Sequence, residues 1–460
     1  MSEARSAAGD FSQGSIPKLI THMALPMMLA EIVNILYNIV DRVYIGNIPS
    51  DGALALAGIG IANPVIMLIA AFAGLVGIGG TPLCSMARGK GDDEDAAHYV
   101  GTSFSLLLVV SAALMLFFFL FLNPVLRLFG ATDILLPYAR RYIRIYLAGT
   151  PFGMLALGMN SYVNAQGFPR RGMLTILSGA IANILLDPIF IYTFHMGVEG
   201  AAVATVLSQI LSSALCVGFL FSDKPPLKLN RAALLPDGVH IRNILSLGTA
   251  NATMKVTDAI VAALVNNRLT AMGDESAVGA MVIILSLRSF FGEMVTGFGT
   301  GMRPVIGYNY GAGLHARVLQ CIRFSTLVLF SLAGGCWLLM VLFIKPLAAV
   351  FTPDPALIAA TAHFGRIYFA AFCFMSLQSG AQGVFVGLGK SKMAIFFSFF
   401  RKVALVAPLT VILSYTRLGV DGIFWAEPIS EIVGGLAVYI TMLITVYFPT
   451  RRLLKEETAR

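Results

Sequence analysis

The chain has 460 residues, 57% of them hydrophobic and only 12% charged, with a formal net charge of +8; soluble domains carry roughly a quarter charged residues. Apolar runs of the ~20 residues needed to cross a bilayer core follow one another along the sequence, which excludes a soluble globular enzyme. The basic residues sit in short connections between those runs, the pattern of positive-inside topology rather than of nucleic-acid binding, so lipid is the expected surrounding partner and no nucleic acid is expected.

In chain order, Met1 to Ser15 is polar and Gly/Ser-rich, without a cleavable signal pattern. Spans are predicted near 17–46, 53–83, 97–122, 134–163, 172–194 and 198–222. A second set follows near 241–272, 277–304, 317–344, 356–386, 392–415 and 420–448. The fold class is therefore an all-α polytopic membrane protein of about twelve transmembrane helices. The longest polar connection, Ser222 to Asp237-Gly238, separates a lobe at 1–222 from one at 241–460, with 223–240 as a cytoplasmic linker. Arg88, Lys90, Arg170, Arg171, Lys224, Lys228, Arg231, Arg317, Lys390 and Lys392 all fall in connections on one side of such a bundle. Lys18 and Arg451-Arg452 put both termini on that side, which is the cytoplasmic one. Arg140, Arg141 and Arg144, at the outer start of the fourth span, depart from the rule. Five dispersed cysteines and six dispersed histidines offer neither a disulfide framework nor metal-ligand spacing.

The two sets of spans are copies of one another. Pro82 recurs as Pro304 and Gly197-Val198-Glu199-Gly200 as Gly419-Val420-Asp421-Gly422, each 222 residues on; Gly167-Phe168-Pro169-Arg170 matches Gly387-Leu388-Gly389-Lys390 at 220. Six spans per copy give both copies the same orientation, so they are parallel repeats about an axis along the membrane normal. Such repeats in secondary transporters enclose a central substrate cavity.

An ionisable group at bilayer depth costs several kcal/mol, roughly, and is a functional hypothesis by default. Asn34, Tyr37, Asn38 and Asp41 are spaced by three, four and seven, which puts them on one face of the first span. Asp187 lies mid-way along the fifth, one turn after Asn183 and directly before Pro188, which removes a backbone donor and frees a carbonyl one turn earlier. In the second copy Asp41 maps to Ala263 and Asp187-Pro188 to Ala407-Pro408. Acids needed only for packing the shared fold would be expected in both copies. Their restriction to one favours a proton or Na⁺ site, to which Asn183 and Thr205 add neutral oxygens. The second copy has Lys255, Asp258, Arg288, Glu293, Arg303, Glu427 and Glu431. These either pair among themselves, as Lys255 with Asp258 at i, i+3, or line a cavity, where Lys255 and Arg288 would favour anionic or zwitterionic cargo.

Glycine runs at Gly74–Gly80 and Gly297–Gly301 imitate nucleotide loops, but without a preceding strand they read as close helix packing. Asp92-Asp93-Glu94-Asp95 reads as a solvated helix start; a prenyltransferase would need a second such cluster.

Leu25-Pro26, Asn38-Ile39-Val40-Asp41-Arg42-Val43-Tyr44-Ile45-Gly46, Asn164-Ala165-Gln166-Gly167, Asn183 to Pro188, Gly197 to Ala202 and Pro304 to Ala312, in this order on twelve spans, resemble the multidrug and toxic compound extrusion (MATE) transporters, in particular the MepA-like bacterial branch. The resemblance implies two six-helix lobes around a V-shaped cavity that faces each side of the membrane in turn. It implies a secondary active transporter rather than an enzyme: a monomeric antiporter of the bacterial inner membrane, exporting drugs or other small organic compounds against inward H⁺ or Na⁺, without a further cofactor. It assigns the ion to Asp41, Asn183, Asp187, Thr205 and the Ala201 carbonyl. Tyr37, Tyr142 and Asn160 become neighbours of that site, and Pro26 the point at which the first helix bends. The substrate cavity is expected to involve Asn34, Tyr37, Asn38, Tyr142, Asn160, Lys255, Asp258 and Arg288. Arg303 departs from the neutral polar residue of many relatives, and the tenth span lacks the acids used by some branches. The alternative within transport is a flippase for a lipid-linked or polysaccharide precursor, which shares the duplication.

Overall fold

The computed structural model describes residues 10–49, 51–227, 229 and 234–458, apart from the side chains at positions 53, 250, 251, 255, 256, 259 and 275. The described residues outside connections are helical. In the first copy these are α1 (Ile16–Gly46), α2 (Gly52–Gly89), α3 (Asp93–Leu128), α4 (Leu136–Ala165), α5 (Pro169–Pro188, continued by the wider turns of Ile189–Thr193) and α6 (Gly197–Phe221). In the second they are α7 (Gly238–Ala271), α8 (Glu275–Gly311), α9 (His315–Leu342), the short α10 (Ile344–Ala349), α11 (Pro355–Tyr368) and α12 (Met375–Gly387). The chain then runs through α13 (Ser391–Phe399), a wide-turn stretch Phe400–Val406, α14 (Ala407–Ser414), α15 (Val420–Met442) and α16 (Phe448–Thr458).

Among the described residues, nine helical stretches are long and apolar enough to cross a membrane, and ten when α11 and α12, bent by 49° about a short break, count as one span. Helices α4 and α7, of 30 and 34 residues, exceed the ~20 residues a span requires and complete about twelve. Their polar residues, Arg140, Arg141 and Arg144 in α4 and Asn251, Lys255 and Asp258 in α7, keep their mean hydropathy down.

The duplication is written into the backbone. Three connections carry glycines with positive φ at matched places: Gly91 (80°) and Gly313 (70°), Gly167 (91°) and Gly389 (70°), Gly197 (56°) and Gly419 (54°). Each pair is 222 residues apart, and each closes a helix or opens the next in a conformation that a Cβ disfavours. The Gly167 connection thus keeps the common register of 222, and the spacing of 220 expected there from Gly387 is corrected by Gly389. Pro188 and Pro408 are still 220 apart; wide turns follow the proline in the first copy and precede it in the second. In either register Asp187 meets no acid: 220 leads to Ala407 and 222 to Leu409.

The described residues pack as two compact units, one of residues 10–11 with those described between 29 and 252, the other of 12–28 and 253–458. Each copy therefore sends the opening turns of its first helix into the unit otherwise built by the other copy. The repeat offset carries 12–28 onto 234–250, so the two exchanges are equivalent. In the first unit the glycines of α2 make room for α7: a Cβ on Gly79 would lie 2.3 Å from the Ile244 carbonyl oxygen, and one on Gly248 would lie 1.8 Å from that of Leu75. In the second, α8 repeats the device against α1, where a Cβ on Gly301 would lie 2.5 Å from the Ala24 Cα. The glycine runs are packing faces. Gly248→Ala is expected to lower stability by about 1–3 kcal/mol, the usual penalty of overpacking, because only backbone is there to yield. Gly335→Ala on α9, where nothing stands within 4 Å, should be neutral or slightly stabilising in the same thermal-melting assay.

A polar clasp fixes the start of α7 to the start of α3. The two ring nitrogens of His240 lie 2.8 Å from Asp237 and 2.9 Å from Asp95, and Tyr99 packs edge-on at 4.6 Å. Each ring nitrogen thus has a carboxylate partner, and the bond from His240 holds the Asp237 carboxyl below the usual carboxylate range.

Candidate ion-coupling site

Helix α5 buries one polar face within the first unit. Asp187 is 0% exposed and Asn183, one turn earlier, 2%; the Asn183 amide donates to an Asp187 oxygen at 3.2 Å. The carboxyl of Asp41, from α1, lies within hydrogen-bonding reach of that of Asp187. Two carboxylates have no hydrogen to place between them, so this contact is favourable only when a proton is shared or a cation is held. Asp41 Oδ1, Asp187 Oδ2 and Asn183 Oδ1 are all buried without a hydrogen-bond partner among the described residues. Three orphaned oxygens, two of them from carboxyl groups, form a donor set that suits a proton or a hard monovalent cation.

The other predicted residues divide into near and far. Tyr37 neighbours Asp41 and Asp187, and Tyr142 neighbours Asp41 while bonding to the Thr205 hydroxyl. Thr205 donates to the Ala201 carbonyl at 2.9 Å, so that carbonyl is engaged within α6. The Asn38 amide folds back onto the Asn34 carbonyl at 2.6 Å. Asn160 is committed elsewhere: its amide donates to the Gly172 carbonyl at 2.9 Å and the Thr175 hydroxyl at 2.6 Å, joining α4 to α5. Pro26 lies within α1, which remains helical through it, two residues before that helix passes from one unit to the other. Tyr146, stacked on Tyr142 with centroids 6.2 Å apart, was not anticipated; its signal is the i, i+4 pair of tyrosines on α4.

The second unit buries a separate ionic cluster. Glu427 on α15 receives Arg288 at 2.6 Å, Arg401 at 2.9 Å and Lys402 at 3.4 Å. Arg288 also reaches Glu431 at 3.3 Å and donates to the Tyr368 hydroxyl at 3.0 Å. Asp258 pairs with Lys402 at 3.2 Å, while the side chain of Lys255 falls outside the described residues. Arg401 and Lys402 are the residues that the sequence reading missed. A basic pair inside Phe396–Ile412, otherwise apolar, was the available signal.

With this geometry established, the sequence profile of the MatE family matches residues 26–189 and 250–412, one match in each copy. The chain belongs to the MatE family. This MatE protein is 24% identical over 451 residues to the multidrug export protein MepA of Staphylococcus haemolyticus, covering 98% of this chain and 97% of that one. It is equally 24% identical over 430 residues to a FAD transporter of Shewanella oneidensis, covering 92% and 94%. Its fold matches an outward-facing multidrug resistance MATE family transporter with a TM-score of 0.90 at 22% identity, over 97% of this chain and 99% of the other. A MOP superfamily transporter from Pyrococcus furiosus, described as having a binding pocket of reverse polarity, matches with a TM-score of 0.90 at 23% identity, over 96% and 98%. The MatE protein is a polytopic membrane transporter, not an enzyme.

Proposed function

We propose that the protein is a cation-coupled antiporter that exports small organic compounds by alternating access, driven by inward H⁺ or Na⁺ through Asp41 and Asp187. It is read as a multi-pass protein of a bacterial inner membrane with both termini cytoplasmic, from the basic connections. One observation carries the reading: two carboxyls from α1 and α5, both helices long and apolar enough to span a membrane, lie side by side with orphaned oxygens around them, in one copy of a duplicated fold whose other copy has no acid at either position.

With the ion absent, the carboxylates repel and hold α1 away from α5. A proton or Na⁺ removes the repulsion and lets α1 approach, with Tyr37, Tyr142 and Thr205 moving about the same point. Pro26 lacks the amide that would stiffen α1 where it changes units, so a shift near Asp41 is absorbed as a bend there. Coupling requires that ion and cargo favour different positions of α1, since a ligand that binds both equally shifts nothing.

Vesicles loaded with a cationic dye and given separate H⁺ and Na⁺ gradients test this. Dye movement should follow one inward cation gradient and collapse when that gradient is dissipated; movement indifferent to both would overturn the proposal.

The relation to a FAD transporter favours a second reading of the cargo, as anionic. In the same vesicles it predicts that anionic dyes compete with the cargo and cationic ones do not.

A further inference from the structure

We propose that the second unit holds a proton-binding site of its own, Glu431 on α15, set against the break between α11 and α12. The observation is an imbalance within the ionic cluster. Arg288 Nη1 carries two hydrogens and faces three acceptors: Glu427 at 2.6 Å, the Tyr368 hydroxyl at 3.0 Å and Glu431 at 3.3 Å. Arg401 and Lys402 both turn to Glu427. Glu431 is 1% exposed, and neither of its carboxylate oxygens has a hydrogen-bond partner among the described residues. A buried carboxylate left in that condition is expensive, and taking up a proton removes the charge that makes it so.

The surroundings suit a proton better than a metal ion. One turn along α15, a Cβ on Gly435 would lie 2.8 Å from the Phe374 carbonyl oxygen, so α15 presses directly on the turn Phe372–Phe374 that separates α11 from α12. Tyr368 ends α11, and Cys373 within the turn neighbours Glu431. The groups facing the carboxyl are therefore Tyr368 and Cys373 from the broken span, Arg288 from α8, Glu427 from its own helix, Arg401 and Lys402 from the stretch before α14, and Asp258 beyond Lys402. A metal cation bound at this carboxyl would keep its charge beside a guanidinium that lies 3.3 Å from the carboxyl oxygen. A proton leaves a neutral carboxyl. Unprotonated, the cluster balances Arg288, Arg401 and Lys402 with Glu427, Glu431 and Asp258; protonated, it has one positive charge in excess, which a further anionic group would be drawn to meet. The break supplies a joint that can respond, since backbone groups around Phe369–Phe374 are not locked into a continuous helix.

The use of this proton in transport rests on the antiport reading above; its binding does not. The test is a pH titration of the protonated-carboxyl stretch by infrared difference spectroscopy on the purified, detergent-solubilised full chain. Glu431→Gln should delete one titrating carboxyl and leave the signal that Asp41→Asn perturbs. Glu431→Asp should shift that band instead of deleting it, which covers a failure of the glutamine variant to fold. Titrations of both variants superimposable on the wild type would overturn the proposal while leaving the first-unit site standing. Loss of the Asp41-dependent signal alone, with Glu431 titrating, would do the reverse. Where the antiport reading holds, Glu431→Gln should also export cargo with one fewer proton per cycle, read with a pH dye inside vesicles.

Discussion

Asp41→Asn and Asp187→Asn should each reduce gradient-driven export at least about tenfold, the loss equivalent to ~1.4 kcal/mol of coupling, while leaving the protein folded. Asparagine has the shape of aspartic acid and can donate where the protonated carboxyl would, so each variant imitates the occupied site permanently. Repulsion between the two carboxyls is then absent in every state, and the gradient has no charge to add. The same logic fixes the sign of the stability change. Removing one of two facing acids relieves a repulsion, so the melting temperature of either variant should equal or exceed that of the wild type. Lower transport at unchanged or higher melting temperature separates loss of coupling from loss of fold. Gradient-driven efflux at the wild-type level in both variants would reject the site. Equivalent changes in the second copy provide the control: Ala263→Asn should leave the dependence on the driving ion as it is.

The parts of this arrangement that sequence made legible are those governed by local rules. The spans follow from hydropathy, the duplication from prolines and glycines at a common spacing, and the acid pair from the cost of charge in hydrocarbon. Nothing local announced that α1 and α7 would exchange their opening turns between units, because helical periodicity runs unbroken through Met28 and Ala252. The small residues that permit the exchange, Gly79 with Gly248 and Gly301 with Ala24, were visible only as packing motifs without partners. The spacing of 220 at Gly387 misled for a related reason: Gly389, two residues on, has the positive φ that the connection needs, and sequence does not say which of two nearby glycines will adopt it. The pairing of Asp258 with Lys402 rather than within its own helix joins residues 144 positions apart. A partner at that distance lies beyond any i, i+3 argument.

The cluster around Glu427 leads to the largest expected loss of stability. Glu427→Gln leaves Arg288, Arg401 and Lys402 buried around a neutral amide, and removing one partner from a buried ion pair typically costs about 3–5 kcal/mol. Heavy loss of folded protein, or a marked fall in melting temperature, is therefore expected from one isosteric substitution. Asp258→Asn touches the same network at its rim, where the Asp258 side chain is 53% exposed, and should change stability by less than about 1 kcal/mol, as exposed pairs do. The surrounding packing shows that the cluster is built in: a Cβ on Gly434 would lie 2.8 Å from Arg401 Cγ, so α15 gives up a side chain to admit the arginine's stem. A double change tests whether the penalty comes from the stranded cations. Arg401→Met combined with Glu427→Gln should recover part of the stability lost by Glu427→Gln alone, with a coupling energy in the range of 0.5–3 kcal/mol, roughly, that neighbouring residues show. Strict additivity of the two losses would mean that Glu427 holds α15 in place by something other than charge.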